Sequence, residues 1–587
     1  MKTLFALALI MSGAVVFFGC STATPPDINL RYDQNQSFDY YETIDAYQKL
    51  SDYYSEASLI EMGISDTGKP LHLFMISGNS DFDPVSIKAK GKTIILIMNG
   101  IHAGEPVGID ASIQYAIDVL DNRDGAANVL ENTVLAIIPV YNIDGSLNRS
   151  PYFRMNQDGP EVKGSRRNAL NIDLNRDFVK QDSRASKSFA SLFHYLDPDI
   201  FIDTHTTNGA DHQFTMTLIP TLYQKLPPAM GEFFHKEMVA TMYERMNSET
   251  PWGMCPYVQT IRRGDVRSGL TGFNDHPYFS SGYAALFNTF PFITETLVYK
   301  PFPDRVRSTI DFIRMLTEFS SENNEQIRTL RADAKQYTKH TREFVLDWSL
   351  DRSRHEPFYF RGYEMEESLS PVTGRTINIF NHDKPWEDTV AFYNYYLPSL
   401  KVEAPTAYII PQAWDDVINR MELNGVKMNR LQQDSIIEVE IIFIDSFQAS
   451  QRPNQGRQLI SQATTRTRMV KRQFYQGDVI IYVNQDSNNY IVHMLEPLAP
   501  ASFFSWGFFN STLEDGEWFS LYSFENLAYE MLMNNPALLE TFENMKASDH
   551  DFANDPLAQL QFLYDQLPQS DVVTSADFYP VSRIYHP

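Results

Sequence analysis

Residues 93–98 read TIILIM, and the chain breaks this run at once with GIHAGEPVGID, residues 100–110. The run reads as a short strand buried on both faces. Two more runs of the same kind follow at 134–140 and 200–203, and between the first two, residues 108–120 place Ile109, Ile113, Ile117 and Leu120 on one helical face. Short apolar strands separated by amphipathic helices predict a mostly parallel sheet covered on both sides. Such sheets bind their ligands beyond the carboxyl ends of the strands. The histidine and glutamate of GIHAGE stand at such an end.

With 587 residues, 43% of them hydrophobic, the chain exceeds what one compact core holds, and two domains are expected. A helical stretch over residues 304–340 carries Val306, Ile310 and Ile313 on a stripe before turning polar. The boundary is placed in its latter part, near Lys339, giving a catalytic domain over 21–338 and an accessory domain over 339–587. Beyond it the runs SIIEVEIIFI (435–444) and DVIIYV (478–483) are β-rich. One α/β piece precedes them: residues 408–410 lead into a helix with Trp414, Val417, Ile418 and Met421 on one face, stopped at Gly425. Residues 523–567 read as helical. The fold class expected is therefore α/β, a mixed, mostly parallel sheet flanked by helices, followed by a β-rich α+β C-terminal domain.

The formal net charge of −25, from 74 acidic against 49 basic residues, argues against nucleic acid as a partner. At the N-terminus, Lys2 precedes an uncharged apolar run over 4–18, closed by Gly19 and Cys20. The run is shorter than the ~20 residues a membrane span needs, and residues 1–20 read as a targeting segment. FFGC, residues 17–20, resembles a bacterial lipoprotein signal, although Phe18 stands where a small residue is usual; ordinary signal cleavage nearby is the alternative. That resemblance implies a lipid on Cys20 and a periplasmic or cell-surface place in the bacterial cell envelope, with STATPPD (21–27) as a tether. Cys255 is the other cysteine, so an intramolecular disulfide framework is excluded in the processed chain, and a small buried hydrophobe is expected there.

A histidine and a glutamate three apart on a tight loop can face one point, and a catalytic zinc takes three protein ligands and leaves a fourth position open. A third candidate, His205, ends the apolar run in PDIFIDTHTTNG, residues 198–209. The pair alone is weak, since His-x-x-Glu recurs by chance. His194, His212, His235 and His276 offer other metal positions, with His212 the best substitute. A stronger signal is NALNIDLNRDF, residues 168–178: Arg176 among apolar residues must find a carboxylate or water, either as a structural ion pair or as a fork for a substrate carboxylate.

In order along the chain, GIHAGE (100–105), NIDG (142–145), FRMN (153–156), NIDLNRDF (171–178), DTH (203–205) and PFITETL (291–297) resemble the motifs of the zinc carboxypeptidases. The resemblance implies one zinc per chain held by His102, Glu105 and His205, with Asn175 and Arg176 clamping the C-terminal carboxylate of a peptide substrate. It also implies Arg154 as the arginine that polarises the scissile carbonyl and Glu295 as the catalytic glutamate, moving a proton from water to the leaving amine. Asp173 and Asp203 are expected to support the site. The second half, around PQAWDDV (411–417) and MLEPLAPASFFSWGFF (494–509), is similar to the extension of some large bacterial members. The aromatic run 503–509 is expected to pack.

The chain departs from the family at Gly104, where relatives often carry a substrate-binding arginine. The tyrosine that closes over substrate has no firm match, with Tyr278 and Tyr283 as candidates. Two other functions share these features. One is an amidase of the same chemistry acting on cell-wall peptides or small acylated amino acids; the other is a non-catalytic peptide-binding lipoprotein.

Overall fold

The structure, a computed structural model, describes residues 24–514, 520–567, 572–573 and 578–585. The targeting segment and Cys20 lie outside the described residues. Eight strands form the main sheet: β1 (Ala57–Ile64), β2 (Pro70–Ile76), β3 (Thr93–Met98), β4 (Thr133–Ile138), β5 (Ile200–Thr207), β6 (Met216–Pro220), β7 (Met254–Pro256) and β8 (Phe290–Leu297). Their order is β1-β2-β4-β3-β5-β8-β6-β7. The centre, β4-β3-β5-β8, is parallel, while β1, β2 and β6 join by antiparallel pairing. The mixed, mostly parallel sheet expected from the apolar runs is thus present.

The TIILIM run is buried because its strand is central. Residues 94–98 and their neighbours 134–138 are fully shielded from solvent, and each large side chain so buried contributes roughly 1.5–3 kcal/mol. From β3 the chain passes through helix Val107–Leu120 to β4, then through helix Arg184–Leu196 back across β3 to β5. Right-handed crossovers in opposite directions put these helices on opposite faces. The reversal leaves a crevice at the carboxyl ends of β3 and β5, where a doubly covered sheet holds its ligand. Gly108 lets the first helix approach the sheet, since a Cβ there would lie 1.9 Å from Thr204 Oγ1.

The single long helix expected over 304–340 is two, Phe302–Glu322 and Asn324–His340. Asn323 caps the first, its side-chain amide donating to Phe319 O, and Asn324 bonds back to Gly91 and Thr93 beside β3. The second half is β-rich, as expected, with long hairpins: Glu356–Leu369 with Thr376–Tyr393, and Ser435–Ala449 with Ile460–Phe474. Strand Ala407–Ile410 runs into helix Asp415–Leu423 and the chain turns at Gly425, whose φ is +71°. Helices fill residues 521–564. One core runs through both halves, taking in Ile95 and Phe201 with Tyr408, Ile418, Tyr490, Phe503 and Phe509. Cys255 is fully buried. Among the described residues, no helix is long and apolar enough to cross a membrane.

Candidate active site

The loop after β3 turns sharply, with Glu105 N–H donating to His102 O at 2.8 Å. Asn142 of NIDG braces it by donating to Ile101 O and Arg166 O. These contacts deliver His102 and Glu105 to His205, which β5 carries. His102 Nδ1 lies 3.1 Å from Glu105 Oε1 and 3.1 Å from His205 Nδ1, and His205 Nδ1 lies 3.0 Å from Glu105 Oε2. All three residues are buried.

The outer ring nitrogens decide what this cluster fits. His102 Nε2 faces Asp173 Oδ1 at 3.1 Å and His205 Nε2 faces Asp203 Oδ2 at 2.9 Å. Each carboxylate holds the proton on Nε2, so the two Nδ1 atoms present lone pairs to each other and to Glu105. Three buried donors of this kind repel unless a cation or a proton lies between them. Burial alone would push the His205 imidazole down, but Asp203 and Glu105 beside it hold it well above its ordinary value. Burial would likewise push the Glu105 carboxyl up, yet Arg154 and His102 hold it well below the carboxylate range. The site is built for positive charge. Two imidazole nitrogens and a carboxylate suit zinc, and among the described residues this is the one cluster of three or more such side chains close enough to share an ion.

Glu295 comes to the cluster through strand register: β8 is parallel to β5 with Glu295 opposite His205. Its Oε2 is buried without a hydrogen-bond partner. Burial, helped by the charge of Glu105 and opposed by His205, pushes its carboxyl up to about 7.

Asp173 caps the turn Leu174–Arg176 by accepting from Asn175 N–H at 3.0 Å. The same carboxylate holds His102 and Arg166, and these charges keep it ionised well below its ordinary range against the effect of burial. Asn175 accepts from Ser280 N–H through Oδ1, which leaves its amide donors toward the pocket. Arg176 stacks 4.2 Å from the Phe279 ring and donates to Asn175 O. Among the described residues no carboxylate makes an ion pair with it.

Arg154, expected to polarise the scissile carbonyl, lies on the wall of the same pocket and is bonded to its neighbours. Its guanidinium donates to Glu105 Oε1 at 2.7 Å, Thr206 O at 2.8 Å and Gln157 Oε1 at 2.7 Å, so one of these three bonds goes to a metal-ligand residue. Arg166, a second arginine near these residues, keeps a 42% exposed side chain beside His102 and Glu105. Gly104 is explained by the same geometry: a Cβ there would lie 2.7 Å from Arg154 Cδ and 2.8 Å from Gly164 O.

The alternative histidines lie elsewhere. His212 packs on Phe214 and Phe360, with burial pushing it down to about 3. His194 contacts Tyr283, His235 pairs with Glu356, and His276 stacks on Tyr278. Tyr283 is buried and donates to Asn424, while Tyr278 packs against Phe279 and Trp506. The tyrosine on the pocket wall is Tyr257, directly after β7. Nothing in its sequence surroundings marks it.

A pocket of about 250 Å³ is bounded by His102, Glu105, Arg166, Arg176, Tyr257 and Glu295, with Asn175 also on its wall. Arg154 and residues 206–208 add polar wall, Ile219, Phe273, Phe279 and Ile293 add apolar wall, and Ile219, Tyr257 and Phe273 also border an adjoining, mainly apolar cavity of about 250 Å³.

Residues 43–243 match the profile of the zinc carboxypeptidase family. The match takes in both histidines, Glu105, Arg154, Asn175 and Arg176, and stops short of Glu295. Among curated proteins, carboxypeptidase 2 of Trichophyton equinum is 22% identical over 436 residues, 71% of this chain and 74% of the relative. The Trichophyton rubrum carboxypeptidase 2 is 22% identical over 472 residues, 76% and 78% of the two chains. Among solved structures, a metallo-carboxypeptidase from Burkholderia cenocepacia aligns with TM-score 0.37 and 16% identity over 50% of this chain and 71% of that one. One from Pseudomonas aeruginosa aligns with TM-score 0.37 and 14% identity over 50% and 71%. Residues 43–243 are thus similar to the zinc carboxypeptidase family.

Proposed function

We propose that this chain removes the C-terminal residue of peptides, using a zinc held by His102, Glu105 and His205. One observation carries the reading: two of the three clustered metal donors, His102 and Glu105, share a single pocket with the poised Glu295 carboxyl and with Arg176, which among the described residues has no carboxylate partner. Bound there, zinc supplies the Lewis acidity that makes water nucleophilic near neutral pH. Arg176 forks two hydrogen bonds to the terminal carboxylate and Asn175 adds an amide donor, which fixes the scissile bond one residue from the chain end. Arg166 stands where a donor to the scissile carbonyl oxygen is needed as charge develops. Glu295 takes the proton from water and returns it to the leaving amine. Arg154 holds Glu105 in place. With Phe279 stacked on Arg176 and Ile219, Phe273 and Ile293 on the same pocket wall, the favoured terminal residue is apolar.

The deciding experiment compares a peptide bearing a free C-terminus with its C-terminal amide, before and after chelation and with zinc restored. The free acid should be cut far faster, chelation should stop both, and zinc should recover the activity. Equal cleavage of acid and amide would remove the clamp and favour an endo-acting amidase.

We further propose export to a bacterial cell envelope and anchoring through a lipid on Cys20. The apolar run 4–18 ending in Gly19 and Cys20 supports this address.

A further inference from the structure

We infer that Gln455, in the second half of the chain, is a positioning residue for the metal site and the carboxylate clamp. The inference rests on the functional reading above and adds to it a residue 282 positions from Asp173 in the sequence.

The hairpin Ser435–Ala449 with Ile460–Phe474 ends in a loop whose tip, Asn454 to Arg457, is closed by reciprocal backbone hydrogen bonds of 2.8 and 3.1 Å. Its two central residues, Gln455 and Gly456, have φ of +52° and +81°. Such a turn favours glycine or asparagine at both places. A glutamine held at positive φ is uncommon and is retained where its surroundings fix it.

Those surroundings belong to the other half of the molecule. Gln455 Oε1 accepts from Asp173 N–H at 3.0 Å and from Arg167 Nη1 at 3.2 Å, and its backbone carbonyl accepts from Lys180 Nζ at 3.4 Å. Asp173 is the hub of the site. One carboxylate orients His102, holds Arg166 and caps the turn that carries Asn175 and Arg176. Gln455 therefore acts on a metal ligand, a candidate carbonyl donor and the clamp through a single peptide group.

Neighbouring contacts fix the hairpin and the segment after Arg176 to one another. Arg457 pairs with both oxygens of Asp182 at 2.6 and 2.8 Å and stacks 3.6 Å over Phe508. Arg420 donates to the carbonyl of Lys180 and to Asp182. Asn424 and Gln181 exchange two side-chain hydrogen bonds. Residues 173–182 are thus held from outside the catalytic half. The second half completes the site.

The test uses the full chain with Gln455→Leu, which removes the acceptor at similar size, and Gln455→Glu, which keeps an acceptor at the same reach. Zinc affinity is measured by competition with a chromophoric chelator, alongside KM and kcat for a free-acid peptide and the melting temperature. Outer partners of metal ligands typically matter by about 10- to 100-fold in affinity. Gln455→Leu should weaken zinc by about 10-fold, the lower end of that range, because it acts one group further out. It should also raise KM, with the melting temperature little changed, and Gln455→Glu should restore both. Parent-like zinc affinity and KM in Gln455→Leu would overturn the inference, as would equal losses in the Leu and Glu variants. If Gln455→Leu is poorly folded, Gln455→Ala carries the same comparison. A parent chain that binds zinc no better than His205→Ala would overturn the site reading itself, a result distinct from either.

Discussion

Glu295→Gln separates a proton carrier from a structural carboxylate. The substitution keeps the side chain's size. The strand pairing of Glu295 with His205 and the bond from Thr217 Oγ1 to the Glu295 backbone carbonyl do not depend on the carboxylate. What is lost is the group that accepts a proton: Oε2 has no donor within reach, and the carboxyl, pushed up to about 7, is a better base than an exposed glutamate. A positioned general base contributes about 10²- to 10⁴-fold, or roughly 3 to 5 kcal/mol of transition-state stabilisation. Steady-state kinetics on a free-acid peptide should show kcat down by at least about 100-fold with little change in KM, because the groups that bind the peptide are untouched. Zinc content should stay at one per chain. The parent's rate should fall as pH drops through the carboxyl's titration, since the base works only when ionised, and this acid limb should vanish from the residual activity of the variant. A variant within about threefold of the parent, well short of the loss a general base would cause, would refute the assignment.

Other substitutions probe the remaining parts. His205→Ala should abolish both zinc binding and activity, as read by metal analysis of the purified chain; full occupancy would displace the metal site from β5. Arg176→Ala should remove most of the preference for a free C-terminus, a loss of about 2 to 5 kcal/mol, or roughly 30- to several thousand-fold in kcat/KM, and acid against amide peptides measure it. Peptides differing only in the terminal residue should be cut faster when it is leucine or phenylalanine than when it is lysine; a lysine preference would contradict the apolar lining. Cys20→Ser should release the expressed protein from the membrane fraction or block its processing; soluble export of the parent would favour ordinary signal cleavage.

The sequence is most readable where a side chain's surroundings are local. TIILIM shows its strand because all of its residues are buried, and GIHAGE shows its turn because the chain must leave the sheet there. His205 is legible as the residue ending an apolar run, whereas the pairing of Glu295 with it is a matter of register that no spacing encodes. Arg154 and Arg166 are indistinguishable as letters: two arginines in one polar loop, separated in role by which of them reaches Glu105 first. The long hairpin Glu356–Leu369 with Thr376–Tyr393 escapes a reading by apolar runs because much of it is exposed and its acidic and amide residues interrupt the alternation. Gln455 is the extreme case. Its surroundings are assembled from both halves of the chain.

The continuous core has a consequence for how the molecule fails. Since Ile95 and Phe201 beneath the crevice share packing with Tyr408, Tyr490 and Phe503 from the second half, the two halves are coupled in their unfolding. Loosening the distal sheet by heat, denaturant or a cavity-forming substitution removes neighbours from the crevice floor before any site residue has changed. Catalytic half-life should therefore track the stability of a region that never touches substrate.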